Sequence, residues 1–215
     1  MVRFSIFGIP VRVHPFFWLT LAIIGGALWT DSAQGVLQVA LFVMAGFISI
    51  MVHELGHALT ARKFGAHSEI VLQAFGGYAA YSGVRMTRPQ SFTITAAGPA
   101  VQIALGVLVL MVLRQLSGLN MNVAYFLLVL VWVSLVWAVL NLLPILPLDG
   151  GQMLNAILGP ERVKITLWIS LIAAVAVGLG YYLLVPHSPF RIIVLIFMGM
   201  FAWQAWQGLR ENHWR

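Results

Sequence analysis

The sequence predicts an all-α polytopic membrane protein of about six transmembrane helices, with a small membrane-associated β-hairpin between helices 2 and 3. Three observations carry that expectation. Of 215 residues, 61% are hydrophobic and only 8% charged, against about 25% charged in soluble domains, so a water-soluble globule is excluded. Six apolar stretches approach the roughly 20 residues that a helix needs to cross about 30 Å of hydrocarbon at 1.5 Å per residue. The few basic residues sort to one side of those stretches. High hydrophobicity also excludes a disordered chain, and the absence of cysteine excludes a disulfide scaffold.

In chain order the expected spans are 14–30, 36–60, 91–113, 123–143, 165–185 and 190–209. Arg3 and Arg12 before the first give it the outline of a signal peptide. Pro10, His14 and Pro15 interrupt that outline, and the small-residue pattern near Ser32 and Ala33 is poor, so a retained helix is expected. Between the second and third spans, short apolar runs flank Phe75-Gly76-Gly77, the pattern of a hairpin over 70–82. An even number of crossings puts both termini on one side. Arg3, Arg12, Arg62, Lys63, Arg85, Arg88, Arg162, Lys164, Arg210 and Arg215 then share that side, and only Arg114 and Arg191 face the other. Ten against two places both termini in the cytoplasm of a multi-pass cell-membrane protein. The hairpin, with basic residues on both flanks, must lie on or dip into the cytoplasmic leaflet.

The net charge of +6 is therefore topological. No basic run exceeds Arg62-Lys63, and no nucleic-acid partner is expected. Trp29, Trp203, Trp206 and Trp214 near span ends suit an aromatic belt. His14, His67, His187 and His213 fall at span ends or loops and carry no expected metal role. With no low-complexity tract or clear repeat, residues 1–215 read as one membrane-embedded domain.

Chemistry enters at His53-Glu54-Leu55-Gly56-His57. On a helix, i and i+4 share a face, so both imidazoles can bind one metal while Glu54 reaches a water on it. Residue frequencies give such a match by chance in roughly 0.3% of chains of this composition. Ionisable residues inside a span cost about 2.5–3.5 kcal/mol each on insertion scales, so three within one turn need a common purpose. A catalytic zinc usually takes three protein ligands, and the chain has six acids. Asp31 lies on the opposite face, Glu161 and Glu211 sit among basic residues, and Glu69 opens the hairpin. Asp149 has the most suggestive context, Asn141-Leu-Leu-Pro144-Ile-Leu-Pro147-Leu-Asp149-Gly150-Gly151, where the prolines end regular helix and the glycines permit a sharp return. The second and fourth spans end on the same side, which brings Asp149 to the leaflet of the histidines.

These paired motifs resemble the site-2 protease family of intramembrane zinc metalloproteases, peptidase family M50. The likeness extends to Gly8-Ile-Pro-Val-Arg-Val-His-Pro15, the Phe75-Gly76-Gly77 region and Ala97-Gly98-Pro99-Ala100. The resemblance implies Zn2+ held by His53, His57 and Asp149, with Glu54 the catalytic glutamate and Asn141 assisting substrate or oxyanion. It implies cleavage of transmembrane protein substrates within the lipid bilayer, as in regulated intramembrane proteolysis. Gln102 stands where the family commonly has Asn, and Gln152 where Arg is frequent. The absence of PDZ-like and CBS-like segments suggests a minimal form.

A substrate helix must unwind before its carbonyls can be attacked, and the hairpin, with Phe75, Gly76 and Gly77 as substrate-binding residues, could offer an edge strand to the unwound segment. Alternatively it only seals the site. Glu54 lies about 12 Å inside the cytoplasmic boundary, counted from Arg62, so water should enter from that side. Ser91, Thr95, Gly98 and Gln102 fall on one stripe of the third helix, fitting close packing or the wall of a wet cavity. The rival function is a metal-binding transporter or channel without hydrolysis.

Overall fold

The computed structural model describes residues 1–74, 76–188 and 191–211. Phe75, position 190 at the start of the sixth expected span, His213, Trp214 and Arg215 lie outside them. By packing the chain divides into two compact units, residues 1–85 with 97–139, and residues 86–96 with 140–215.

The first unit opens with a β-hairpin that the composition did not suggest. Strands β1 (Val2–Ile6) and β2 (Ile9–Val13) turn at Phe7-Gly8, both at positive φ. In β2 the side chains alternate, with Ile9, Val11 and Val13 buried and Pro10 exposed. Helix α1 (Pro15–Ile24) follows, with Pro15 in its first turn, where a missing N–H costs nothing. It has ten residues, about 15 Å of helix, so the stretch expected to span over 14–30 contains a shorter helix and then a turn.

Helix α2 (Ala33–Lys63) has 31 residues, about 46 Å, longer than the hydrocarbon thickness. The Ser32 hydroxyl caps it by accepting from the Gly35 N–H at 3.1 Å. Arg62 and Lys63 sit in its last turn, where the helix dipole favours cations. α1 runs counter to α2, since Leu21 meets Gly46 and Gly25 meets Phe42 four residues earlier in α2.

The expected hairpin is present as β3 (His67–Gln73) and β4 (Gly76–Ser82), paired antiparallel from His67↔Ser82 to Gln73↔Gly76. It belongs to a larger element, a four-stranded sheet of order β1-β2-β3-β4 in which β2 and β3 are parallel. Arg12 and Glu69 pair at 2.5 Å within it, which accounts for Glu69. One core joins Ile9, Val11, Val13, Ile70 and Leu72 of the sheet to Phe17 and Leu21 of α1 and Ile50, Met51 and Ala58 of α2.

Helix α3 (Arg88–Gln115) continues through Pro99, and α4 (Met121–Asn141) ends at the Asn of the second motif. In the second unit, α5 (Asp149–Leu158) was not expected. It starts where the sequence suggested a return, and Arg88 caps its far end, Nε donating to the Ala156 carbonyl at 2.9 Å and a terminal N–H to Ile157. A 3-10 turn at Pro160–Arg162 leads into α6 (Val163–Leu184), which packs along α7 (Arg191–Arg210), Gly178 lying against the Met198 Cβ. Among the described residues, α2, α3, α4, α6 with its preceding turn, and α7 are long and apolar enough to cross a membrane.

Candidate metal centre

In the first unit, α2 carries His53, Glu54 and His57, all buried. Four-residue spacing brings the two imidazoles together edge to face, and their Nε2 atoms stand 3.0 Å apart. Zn–N bonds of about 2.0–2.1 Å in a tetrahedral site would separate two ligand nitrogens by about 3.3 Å. At 3.0 Å the two nitrogens can share a proton as an N–H···N bond, and the same separation is close to that of two nitrogens on one metal ion, so the arrangement fits a metal.

The orientation of His53 has a visible cause. The Gln102 amide on α3 donates to the Ser49 hydroxyl at 2.9 Å, which turns its carbonyl oxygen to His53 Nδ1, also at 2.9 Å. Nδ1 is then the protonated nitrogen, and Nε2 keeps its lone pair for a metal. Ser49 in turn bonds Ser134 on α4 at 3.0 Å. The chain His53–Gln102–Ser49–Ser134 is wholly buried and ties three helices together.

Glycines let backbone approach this centre. A Cβ on Gly98 would lie 2.3 Å from His57 Nε2, and one on Gly56 would lie 2.7 Å from the Ala97 carbonyl oxygen, so α2 and α3 cross at bare backbone. A Cβ on Gly77 would meet Glu54 Cγ at 2.7 Å and Leu72 Cδ2 at 2.6 Å. Strand β4 therefore passes directly over the Glu54 side chain. An open groove beside it is lined by His14, Phe16, Gln73, Ala74, Gly76 and Gly77. Of the three expected substrate-binding residues, Gly76 and Gly77 line this groove and Phe75 lies outside the described residues.

In the second unit, Asp149 is the first residue of α5 and is buried, its carboxylate suited to the positive end of the helix. Segment 142–146 folds tightly over that first turn. A Cβ on Gly150 would sit 2.2 Å from the Leu142 carbonyl oxygen, and one on Gly151 2.4 Å from the Ile145 carbonyl carbon. The loop is anchored from both sides, as the Leu146 N–H donates to Ser170 Oγ at 3.0 Å and the Gln152 amide donates to the Pro147 carbonyl at 2.9 Å. Asn141 stands at the C-terminal end of α4, half-buried. His53 and His57 in the first unit and Asp149 in the second are each buried and each offer a ligand atom of a type that binds metal. Two imidazoles and a carboxylate are the donor set of a catalytic zinc that keeps a fourth position open.

The model of Peptidase family M50 matches residues 41–121 and 117–183, more than half of the chain. The chain belongs to peptidase family M50. This M50 protein is 34% identical to a zinc metalloprotease of Methanocaldococcus jannaschii over 74% of its own length and 45% of the relative's. It thus spans less than half of that curated relative. It is also 26% identical to stage IV sporulation protein FB of Bacillus subtilis, over 96% of this chain and 68% of that one. Among solved structures, the site-2 protease from Methanocaldococcus jannaschii superposes with a TM-score of 0.68 at 30% identity, covering 97% of this chain and 95% of the other. Family and apolar helices together make this M50 chain a multi-pass membrane protein.

Of the residues around the two histidines, sequence reading named Gly98 and Gln102 as part of a stripe and missed Ser49 and Ser134. Ser49 and His53 share one face of α2 four residues apart, and Gly98 and Gln102 share one face of α3, so a polar stripe was visible on each helix. That the two stripes meet is a tertiary fact.

Proposed function

We propose that this chain is an intramembrane zinc metalloprotease that hydrolyses peptide bonds in transmembrane segments of membrane protein substrates. The observation that carries the reading is the pair of buried imidazoles with Nε2 atoms 3.0 Å apart, one of them held by Gln102, beside buried Glu54. His53, His57 and Asp149 would hold the ion. Bound there, zinc supplies Lewis acidity that activates water near neutral pH and polarises a peptide carbonyl. Glu54 accepts the proton of the attacking water on its carboxylate and returns it to the amine that leaves. Asn141 directs its amide N–H toward the developing oxyanion.

The substrate enters as an extended strand. β4 is an edge of the four-stranded sheet, and its Gly77 backbone lies against Glu54. Strand addition there replaces the hydrogen bonds of the unwound helix and delivers a carbonyl to the site, with Phe75, Gly76 and Gly77 at the entry. Gly77→Ala is expected to push Glu54 or β4 aside and reduce cleavage by about 100-fold, the cost of roughly 1 Å of misplacement. Zinc content should stay at the wild-type level. Wild-type cleavage by this variant would remove β4 from the substrate path.

The chain crosses the membrane six times as one domain over residues 1–215, with both termini and the site's opening cytoplasmic. α1 and the segment up to Asp31 supply the first crossing, in keeping with the course of α1 counter to α2. The hairpin of β3 and β4 lies in the cytoplasmic leaflet, in keeping with its packing along α2. The purified protein should carry about one zinc per chain. Chelation should abolish cleavage of a transmembrane peptide and zinc should restore it. A chain purified without stoichiometric metal would sink the reading.

A further inference from the structure

We propose that Gln102 is a positioning residue for the metal ligand His53, setting its tautomer and ring orientation through a buried relay from α4. This rests on the reading of His53 as a metal ligand. The amide is fully buried, so every polar atom on it needs a partner. Its N–H group has two acceptors on Ser49, the hydroxyl at 2.9 Å and the carbonyl at 3.5 Å. Only its oxygen remains for His53 Nδ1. An acceptor at Nδ1 makes that nitrogen the donor, which leaves Nε2 unprotonated and aimed at His57 Nε2. Ser134 holds the Ser49 hydroxyl from the far side, and the Ser49 carbonyl, which can only accept, defines which way the amide faces. In metal sites generally, a partner on the second imidazole nitrogen fixes the ring and raises ligand basicity, and its loss weakens metal binding by about 10–100-fold.

Two substitutions separate positioning from space-filling. Gln102→Met keeps the length of the side chain but accepts no hydrogen bond of comparable strength, while Ser49 and Ser134 can still bond each other. Gln102→Glu keeps the acceptor and lets the Ser49 hydroxyl donate to its second oxygen. Zinc affinity is read by competition with a chromophoric chelator on the full chain in detergent. The tautomer of His53 is read in zinc-free protein from imidazole 15N shifts, practicable with six histidines, the signal being assigned by its loss in His53→Gln.

Gln102→Met should bind zinc about 10–100-fold more weakly and lose the Nδ1–H tautomer, whereas Gln102→Glu should retain both. Wild-type affinity and tautomer in Gln102→Met overturn the proposal. Equal loss of zinc in both variants also overturns it, because that marks a packing role. A wild-type chain that binds no zinc brings down the metalloprotease reading instead, and the tautomer comparison still decides the role of Gln102.

Discussion

Glu54→Gln should slow cleavage of a transmembrane substrate by about 10²–10⁴-fold while zinc stays bound. The carboxamide has the shape of the carboxylate, and Glu54 is buried beneath the backbone of Gly77, so the replacement leaves α2 and β4 where they are. In this reading Glu54 is no ligand, and His53, His57 and Asp149 remain intact. What disappears is a group that can take a proton from water and deliver it to the leaving amine. General acid–base catalysis contributes about 10²–10⁴-fold, equivalent to about 3–5 kcal/mol of barrier. The rate should fall by that factor with metal content unchanged. Comparing membrane proteomes of cells with the wild type and with Glu54→Gln should also reveal the substrate, as a processed form present only with the wild type. Cleavage at the wild-type rate by Glu54→Gln sinks the mechanism. A transporter using the same residues would still move metal in this variant.

The second large effect is expected at Gly98. Alanine there puts a methyl carbon 2.3 Å from His57 Nε2 and 2.4 Å from its Cε1, where non-bonded atoms prefer about 3.5–4.0 Å. Relief by separating the helices would break the buried bonds of Gln102 on α3 to Ser49 and His53 on α2, four residues further along the same face. The imidazole must turn, and its Nε2 leaves the metal position. Gly98→Ala should therefore lose at least the roughly 100-fold in zinc affinity that the loss of a ligand's supporting partner can cost, and cleavage with it. Helix content should be preserved. Gly180→Ala and Gly199→Ala are the controls, because a Cβ at either meets nothing within 4 Å. Zinc binding by Gly98→Ala at wild-type strength would disprove the packing argument.

What could be read in the sequence and what could not divides by distance along the chain. The His53–His57 pair was legible because helical periodicity is local, four residues and one face. Helices α2, α3, α4, α6 and α7 were legible because apolar length is the condition for crossing hydrocarbon. The strand β2 left a trace in the alternation of Ile9, Val11 and Val13, yet its partner β3 lies beyond α1 and α2, and no local pattern announces a parallel pairing of that range. α5 was hidden for another reason. Asp149-Gly150-Gly151 reads as a turn, but the glycines are there because the 142–146 backbone lies against a helical first turn that no side chain could share.

The membrane setting, the residue types of the proposed centre and the glutamate beside them follow from composition and from spacing along a single helix. How the two histidines and the glutamate are held depends on packing between elements far apart in the chain. Gln102 faces His53, Gly98 makes room for His57 and Gly77 covers Glu54. Each of these is a contact between elements, fixed by how helices and sheet pack together.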